Sequence, residues 1–148
     1  MNREFASLDE FAAFMLRAVA AVAVADVAGR SAAAAFLTEK AKDRIGKAEL
    51  LPPPLAEATQ EERVKAGFSA DETLLRSGAL RDSIGWQHES PRKTVIGSTD
   101  EKAVFHELGT SRGIPARSFL ASTANEHGDE AVLGLYVQAL QLAFRTVR

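Results

Sequence analysis

The sequence predicts an α+β fold with N-terminal helices, a small antiparallel β-sheet built around a central hairpin, and a C-terminal helix packed on that sheet. Near the N-terminus, apolar residues recur at three- and four-residue steps, which is the period of one helix face. In the middle of the chain, Ile84, Trp86 and His88 alternate with small or polar neighbours, a pattern typical of a strand. After Asp129 the helical period returns.

Length and composition favour one soluble domain over residues 1–148. The chain has 148 residues, of which 46% are hydrophobic and 26% charged, as is ordinary for a globular protein. We divide it into an alanine-rich helical part (1–46), a proline-containing connector with a short helix (47–73) and an α+β core (74–148). The absence of cysteine excludes disulfides and thiolate metal ligands. A net charge of −2 predicts no non-specific binding to nucleic acid.

One apolar stretch, Phe11 to Ala28, raises the question of a membrane. It is a poor span, because Arg17 and Asp26 lie within it. A signal peptide begins with basic residues, whereas Asp9 and Glu10 precede this stretch. We therefore expect no membrane association or export, and synthesis in the cytoplasm.

The N-terminal part is predicted to be helical from Ser7 onward. Ser7 and Glu10 form a capping box, in which each side chain satisfies an unpaired amide at the start of a helix. Gly29 leaves two alternatives: it ends this helix and Ser31 caps the next, or it is a weak point inside one long helix. Gly46 is the expected C-terminal stop.

The connector begins with Leu51 to Leu55, whose three consecutive prolines hold the backbone extended. This run is either a ligand for a proline-binding module or a rigid spacer, and we favour the spacer. A short helix over residues 56–65 follows. After a loop we expect a further short helix through Leu80, capped by Asp71 or Thr73.

The hairpin and the segments after it complete the predicted elements. A strand from Ile84 turns at Ser90-Pro91-Arg92 and returns over residues 94–97. A helix over residues 101–108 follows, ended by Gly109. The expected core and motif positions of this region are Leu80, Ile84, Trp86, Phe105, Gly109, Phe119 and Leu120.

A flexible loop, Thr110 to Pro115, leads to extended structure over residues 117–121 and then to the last helix, over residues 130–146. That helix is apolar over most of its circumference. Such a helix is buried in the core or against a neighbouring subunit, and we expect both.

The chain lacks the usual motifs of catalysis. His106-Glu107 resembles the start of the zinc-protease motif, but position 110, where the second histidine should stand, is Thr110. No Gly-x-Ser-x-Gly elbow and no phosphate-binding glycine pattern occurs. We therefore expect no enzyme activity, no catalytic residues, no metal and no cofactor.

Basic residues cluster in the central stretch, and two explanations stay open. The cluster comprises Arg76, Arg81, Arg92, Lys93, Arg112 and Arg117. One explanation is a nucleic-acid-binding module. The other is a subunit interface, which we favour because arginine is enriched at interfaces and because Trp86, Phe105 and Phe119 fit core positions better than base-stacking positions.

Three segments, in fixed order, carry a resemblance to a known family. The first supplies Leu74, Ser77, Gly78, Leu80, Arg81, Ser83 and Ile84. The second supplies Ala103, His106, Glu107, Gly109 and Thr110, and the third Pro115, Arg117, Phe119 and Leu120. With Pro54 to Thr59, Arg63 and Gly67 upstream, they resemble the tail-completion (virion morphogenesis, head–tail joining) proteins of tailed bacteriophages. The sequence departs at Ser118, where such proteins often have proline, and its N-terminal third matches no motif.

The resemblance implies a structural virion protein of a tailed phage or phage-derived particle, made in the bacterial host cytoplasm. It implies a homo-oligomeric ring at the head–tail junction or tail end, and related rings suggest a hexamer. Its neighbours would be the tail tube protein and the head-completion or connector proteins, and genome DNA would pass without specific binding. The expected interface comprises Arg76, Arg81, Glu107, Thr110, Ser111, Arg112 and Arg117.

Overall fold

The computed structural model describes residues 4–147 and confirms the α+β class. The elements in chain order are α1 (Leu8–Arg44), a 3₁₀ turn (Ala48–Leu50), α2 (Glu57–Lys65), α3 (Ala79–Ser83), β1 (Ile84–Ser90), β2 (Lys93–Ser98), α4 (Lys102–Leu108), α5 (Leu120–Asp129), a π-helical segment (Glu130–Tyr136) and α6 (Val137–Thr146). The two strands form one antiparallel hairpin.

The chain divides into two compact units. The helical unit comprises residues 4–33 and 130–147, and the α+β unit comprises residues 34–129. These boundaries differ from the expected ones at residues 46 and 73. The prediction of a single domain stays a prediction.

The first helix begins at the predicted cap and continues through Gly29. The Glu10 amide donates to Ser7 Oγ at 3.1 Å, and Glu10 Oε2 accepts from the Ala6 amide at 2.8 Å. Ser31 caps no second helix; its hydroxyl donates to the Val27 carbonyl inside α1, at 2.9 Å. The long-helix alternative is therefore the right one.

The stop at Gly46 is confirmed. Gly46 has φ +98°, a conformation that glycine adopts without strain. Its amide donates to the carbonyl of Thr73 at 2.8 Å. The bond turns the chain out of the helical path just after Arg44, where α1 ends.

The helical unit is held together by a polar seam. Tyr136 donates its hydroxyl hydrogen to Asp26 Oδ1 at 2.7 Å, and Asp26 also pairs with Arg30 at 2.8 Å. Gly29 lies against Tyr136 so closely that an added Cβ would approach the Tyr136 ring to 2.7 Å. The two helical segments of this unit therefore meet at Gly29 and Tyr136.

Most apolar side chains of the helical unit are exposed. By length and composition α1 is apolar enough to cross a membrane, and only 6% of its most apolar 18-residue window is buried. The exposed large apolar residues of the unit are Leu8, Phe11, Met15, Leu16, Val19, Val24, Val27, Val132, Leu133, Leu142 and Phe144. The expected burial of the last helix in the core is wrong for Leu133 and Phe144, which are 67% and 61% exposed.

The core of the α+β unit gathers residues from the end of α1 to the start of α5. It consists of Ala41, Ile45, Leu51, Leu80, Ile84, Ala103 and Phe119, with Leu74, Leu75 and Leu120 packed against it. Leu120 begins α5, and α5 borders a small cavity together with Ile96 of β2. The C-terminal helical region thus packs beside the sheet through α5.

Two expected core residues lie at the surface. Trp86 is 37% exposed and Phe105 is 48% exposed, so their assignment to the core is wrong. The sheet has two strands, and β1 buries only its first residue, Ile84. The alternation correctly predicts the strand, but the hairpin extends beyond the core.

The expected short helix through Leu80 is wrong. The chain turns irregularly from Leu74, which has φ +64°, to Gly78, and helix starts only at Ala79. The reason is Arg63, whose guanidinium takes the carbonyls of Glu72 and Leu75 at 3.1 Å and 2.6 Å. A helix would need those carbonyls for its own hydrogen bonds.

The expected extended structure over residues 117–121 is also wrong in its second half. Helix α5 begins at Leu120 and runs to Asp129, followed without a break by the π-helical segment and α6. The sequence places the end of the last helix correctly, at Thr146, but starts it ten residues late. The cause is the side chain of Glu107, described below.

Candidate partner-binding groove

One groove of 790 Å³ lies within the α+β unit, and four separate segments line it. They are the end of the connector with α2, the irregular segment from Leu74 to Leu80, the start of α4, and the loop before Arg117. This groove therefore brings together the three segments of the resemblance and the pattern upstream of them, which are far apart in sequence.

Arg117 fixes the connector to the rest of this unit. Its Nε and Nη2 donate to the carbonyls of Pro53 and Pro54 at 2.9 Å and 3.1 Å, and its amide donates to the His106 carbonyl at 2.7 Å. The residue is 7% exposed, and this burial lowers the pKa of the Arg117 guanidinium. Arg117 is thus a tie between two segments of this unit, and its assignment to an interface stays a prediction.

Glu107 caps α5. Its carboxylate accepts from the Ser118 hydroxyl at 2.6 Å and from the amides of Phe119, Leu120 and Ala121 at 2.8 to 3.0 Å. Helix-start amides lack partners within the helix, and a negative charge is favourable there. Glu107 is half-buried and has partners within its own chain, and its assignment to an interface stays a prediction.

The environment of Glu107 acts on its pKa in two directions. Burial raises the pKa of the carboxyl, whereas the hydrogen bonds from Leu120, Ser118, Ala121 and Phe119 lower it. The hydrogen bonds outweigh the burial, and the pKa is lowered. Glu107 is therefore charged at neutral pH.

His106 lines the groove and has an unused ring nitrogen. Its Nδ1 is buried and has no hydrogen-bond partner within residues 4–147. Burial lowers the pKa of His106, and the positive charge of Arg117 lowers it further. The imidazole is therefore neutral at pH 7, with one nitrogen free to donate or to accept.

The loop from Thr110 to Pro115 closes on itself. The Thr110 amide donates to the Ile114 carbonyl at 2.8 Å, and the Ile114 amide donates to Thr110 Oγ1 at 3.2 Å. Gly109 has φ +74° and lies against the backbone of Ala116, where an added Cβ would be 2.8 Å from the Ala116 nitrogen. The flexibility expected of this loop stays a prediction.

Four of the other expected interface residues lie at the surface, whereas Thr110 is half-buried. Arg76 pairs with Glu62 at 3.2 Å and covers the Phe68 ring, while Arg81 pairs with Asp82 at 3.7 Å. Exposed pairs of this kind contribute little to stability. Ser111 and Arg112 are exposed at the loop tip, and Arg112 forms no ion pair with the described residues.

Arg63 is a site residue that the sequence patterns did not predict. This arginine is 6% exposed and also donates to the Ser69 carbonyl at 2.8 Å. Its only signal is its place in the pattern upstream of the first segment. The polarity of the residue predicts a solvated position, and nothing local reveals the carbonyls that surround it.

Within residues 4–147, no group of three or more histidine, cysteine, aspartate or glutamate side chains could hold a metal ion. Comparison with protein-family models, with curated proteins and with solved structures finds no match to this chain.

Proposed function

We propose that this chain is a structural virion protein of a tailed phage or phage-derived particle, acting in tail completion or termination and in head–tail joining as a homo-oligomeric ring. The order of the three segments motivates the proposal. The observation that carries it is the exposed apolar surface of the helical unit, where Leu16 and Val24 are each 72% exposed. A surface of this kind marks a contact with other molecules.

A ring needs two different complementary patches on each subunit. The helical unit supplies one apolar patch. The surface members of the predicted interface supply polar and charged positions on the α+β unit for a second patch: Arg76, Arg81, Ser111 and Arg112. Arginine at such positions suits pairing with carboxylates of a neighbour, because its fork makes two parallel hydrogen bonds.

The nucleic-acid alternative draws support from Trp86, which is exposed and edge-on to His88 at 5.4 Å. Three arginines of its cluster, however, are buried or paired within the chain. Arg117 is buried, and Arg76 and Arg81 are paired with carboxylates. We therefore favour the structural function.

Electron microscopy of particles from a producer strain lacking the gene tests the proposal. We expect separate filled heads and tails, or tails of aberrant length, and rescue by the wild-type gene. Arg112→Glu should fail to rescue, because it reverses a charge at the loop tip. Arg92→Glu, an exposed arginine at the hairpin turn, is the matched control and should rescue. Joined particles of normal length without the gene would refute the proposal.

A further inference from the structure

The groove in the α+β unit has an excess of positive charge. Arg63, Arg76, Lys102 and Arg117 line it, and of these Arg76 is paired with Glu62. Asp100 is the one carboxylate among its described lining residues, and one oxygen of Asp100 already accepts the Lys102 amide hydrogen at 2.9 Å. An anionic group that entered the groove would therefore meet several cations and little repulsion.

Two of these cations are buried without a carboxylate partner. Arg63 and Arg117 donate from Nε and Nη2 to backbone carbonyls alone. Among residues 4–147, neither guanidinium forms an ion pair, and neither Nη1 has a hydrogen-bond partner. A buried charge without a counter-charge is costly, so a carboxylate placed beside it is favourable.

Arg44 provides the comparison within the same unit. It is 4% exposed, as buried as Arg63 and Arg117, and it lies outside the groove. Arg44 pairs with the carboxylate of Glu126 and donates to Thr123 Oγ1 at 3.1 Å. Among residues 4–147, a carboxylate thus pairs with Arg44 but none pairs with Arg63 or Arg117.

The remaining lining selects the kind of anion. Leu55, Leu74, Leu80 and Ile114 add apolar surface. A volume of 790 Å³ suits a ligand of a few residues. A DNA duplex, whose major groove alone is about 12 Å wide, is too large to enter.

We propose that this groove binds a short acidic and apolar peptide segment of a partner protein. The carboxylate takes the hydrogen bonds left open by the basic lining residues, and the neighbouring apolar side chain packs on the leucines. Charge complementarity and the mixed lining carry this assignment. It does not depend on the proposed function, because it concerns the isolated chain.

A titration of the full-length ¹⁵N-labelled protein tests the assignment. The probe is the acetylated and amidated peptide Leu-Glu-Leu-Phe, and its matched control has glutamine in place of glutamate. We expect saturable shifts at the Arg117 Nε–H and at the Leu80 amide. The glutamine peptide should bind at least tenfold more weakly, since charge-assisted hydrogen bonds contribute about that difference.

Two variants localise the binding. Lys102→Gln removes an exposed cation of the groove and should weaken binding about two- to fivefold. Arg92→Gln removes an exposed cation of the hairpin turn and should leave binding unchanged. Equal affinity for both peptides, an equal loss in both variants, or the same shifts with inorganic phosphate would overturn the assignment. Absence of any saturable shift at millimolar peptide would overturn it as well.

Discussion

Glu107 joins α4 to the first turn of α5 through one carboxylate. Four donors converge on it, three of them backbone amides that an isolated helix would leave to water. Charge-assisted bonds of this kind are about twice as strong as neutral ones. The residue therefore stabilises the start of α5 and, through Phe119, the position of a fully buried core side chain.

Glu107→Gln should lower the free energy of unfolding at pH 7 by about 1–3 kcal/mol, because the amide group accepts fewer of these hydrogen bonds and carries no charge. The folded-state pKa of Glu107 is lowered. Its contribution is therefore complete above the pKa of an unfolded glutamate, about 4.3, and is lost as the pH falls through the folded-state pKa.

Urea unfolding of wild type and variant from pH 7 to pH 3 measures both effects. The difference between the two proteins should stay constant down to about pH 4.3 and then shrink. Glu49→Gln, at an exposed glutamate of the 3₁₀ turn, is the control and should change stability by less than about 0.5 kcal/mol. A difference that persists undiminished at pH 3 would contradict the assigned role of the charge.

At the scale of the elements, local chemistry predicts what local bonds determine. The Ser7 and Glu10 cap, the turn at Pro91 and the stop at Gly109 each depend on residues within a few positions, and the structure has them there. The hairpin strands extend only a little beyond the predicted ones.

The misassigned elements depend on distant side chains. Helix α5 begins where it does because Glu107, thirteen positions before Leu120, binds its amides. The segment after Ser69 is irregular because Arg63 takes its carbonyls. No periodicity within either segment encodes these partners. The groove could not be predicted for the same reason, because distant side chains hold its walls in place. Most of its lining residues nevertheless lie in the segments that carry the resemblance.

The close approach at Gly29 gives an element-scale prediction. Gly29→Ala would bring a Cβ to 2.7 Å from the Tyr136 ring and 3.2 Å from the Tyr136 backbone. Overpacking of this kind costs about 1–3 kcal/mol, whereas alanine gains up to about 1 kcal/mol in helix propensity. We expect a net loss of about 1 kcal/mol, with the seam of Asp26 and Tyr136 opened.

Thermal unfolding followed by circular dichroism, together with the absorbance titration of Tyr136, measures this effect. The hydrogen bond to Asp26 raises the pKa of Tyr136, so an opened seam should return that pKa toward about 10. Gly128→Ala in α5, where a Cβ meets nothing within 4 Å, is the control and should stabilise the protein slightly. A stabilised Gly29→Ala with an unchanged Tyr136 titration would show that the helices are not in contact there.

At the scale of the whole molecule, exposed apolar surface sets the behaviour in solution. In the helical unit, Val19 is 64% exposed and Phe144 is 61% exposed. Burying an apolar side chain of this kind contributes about 1.5–3 kcal/mol of favourable free energy. A homo-oligomer that covers this face gains that free energy in each subunit. The apolar length of α1 makes a lipid bilayer the competing cover.

Val19→Glu should weaken self-association at least 100-fold, because it removes an exposed apolar side chain that the contact would bury and places a charge there. Val64→Glu is the matched control: Val64 is 58% exposed on α2, outside the helical unit, and its variant should associate like wild type. Sedimentation velocity over a concentration series measures both, and vesicle flotation tests the competing cover. Flotation of the wild type that Val19→Glu abolishes would assign the exposed apolar surface to a bilayer. A monomer at every concentration, without flotation, would assign that surface to another protein. Either result would contradict its burial against a second copy.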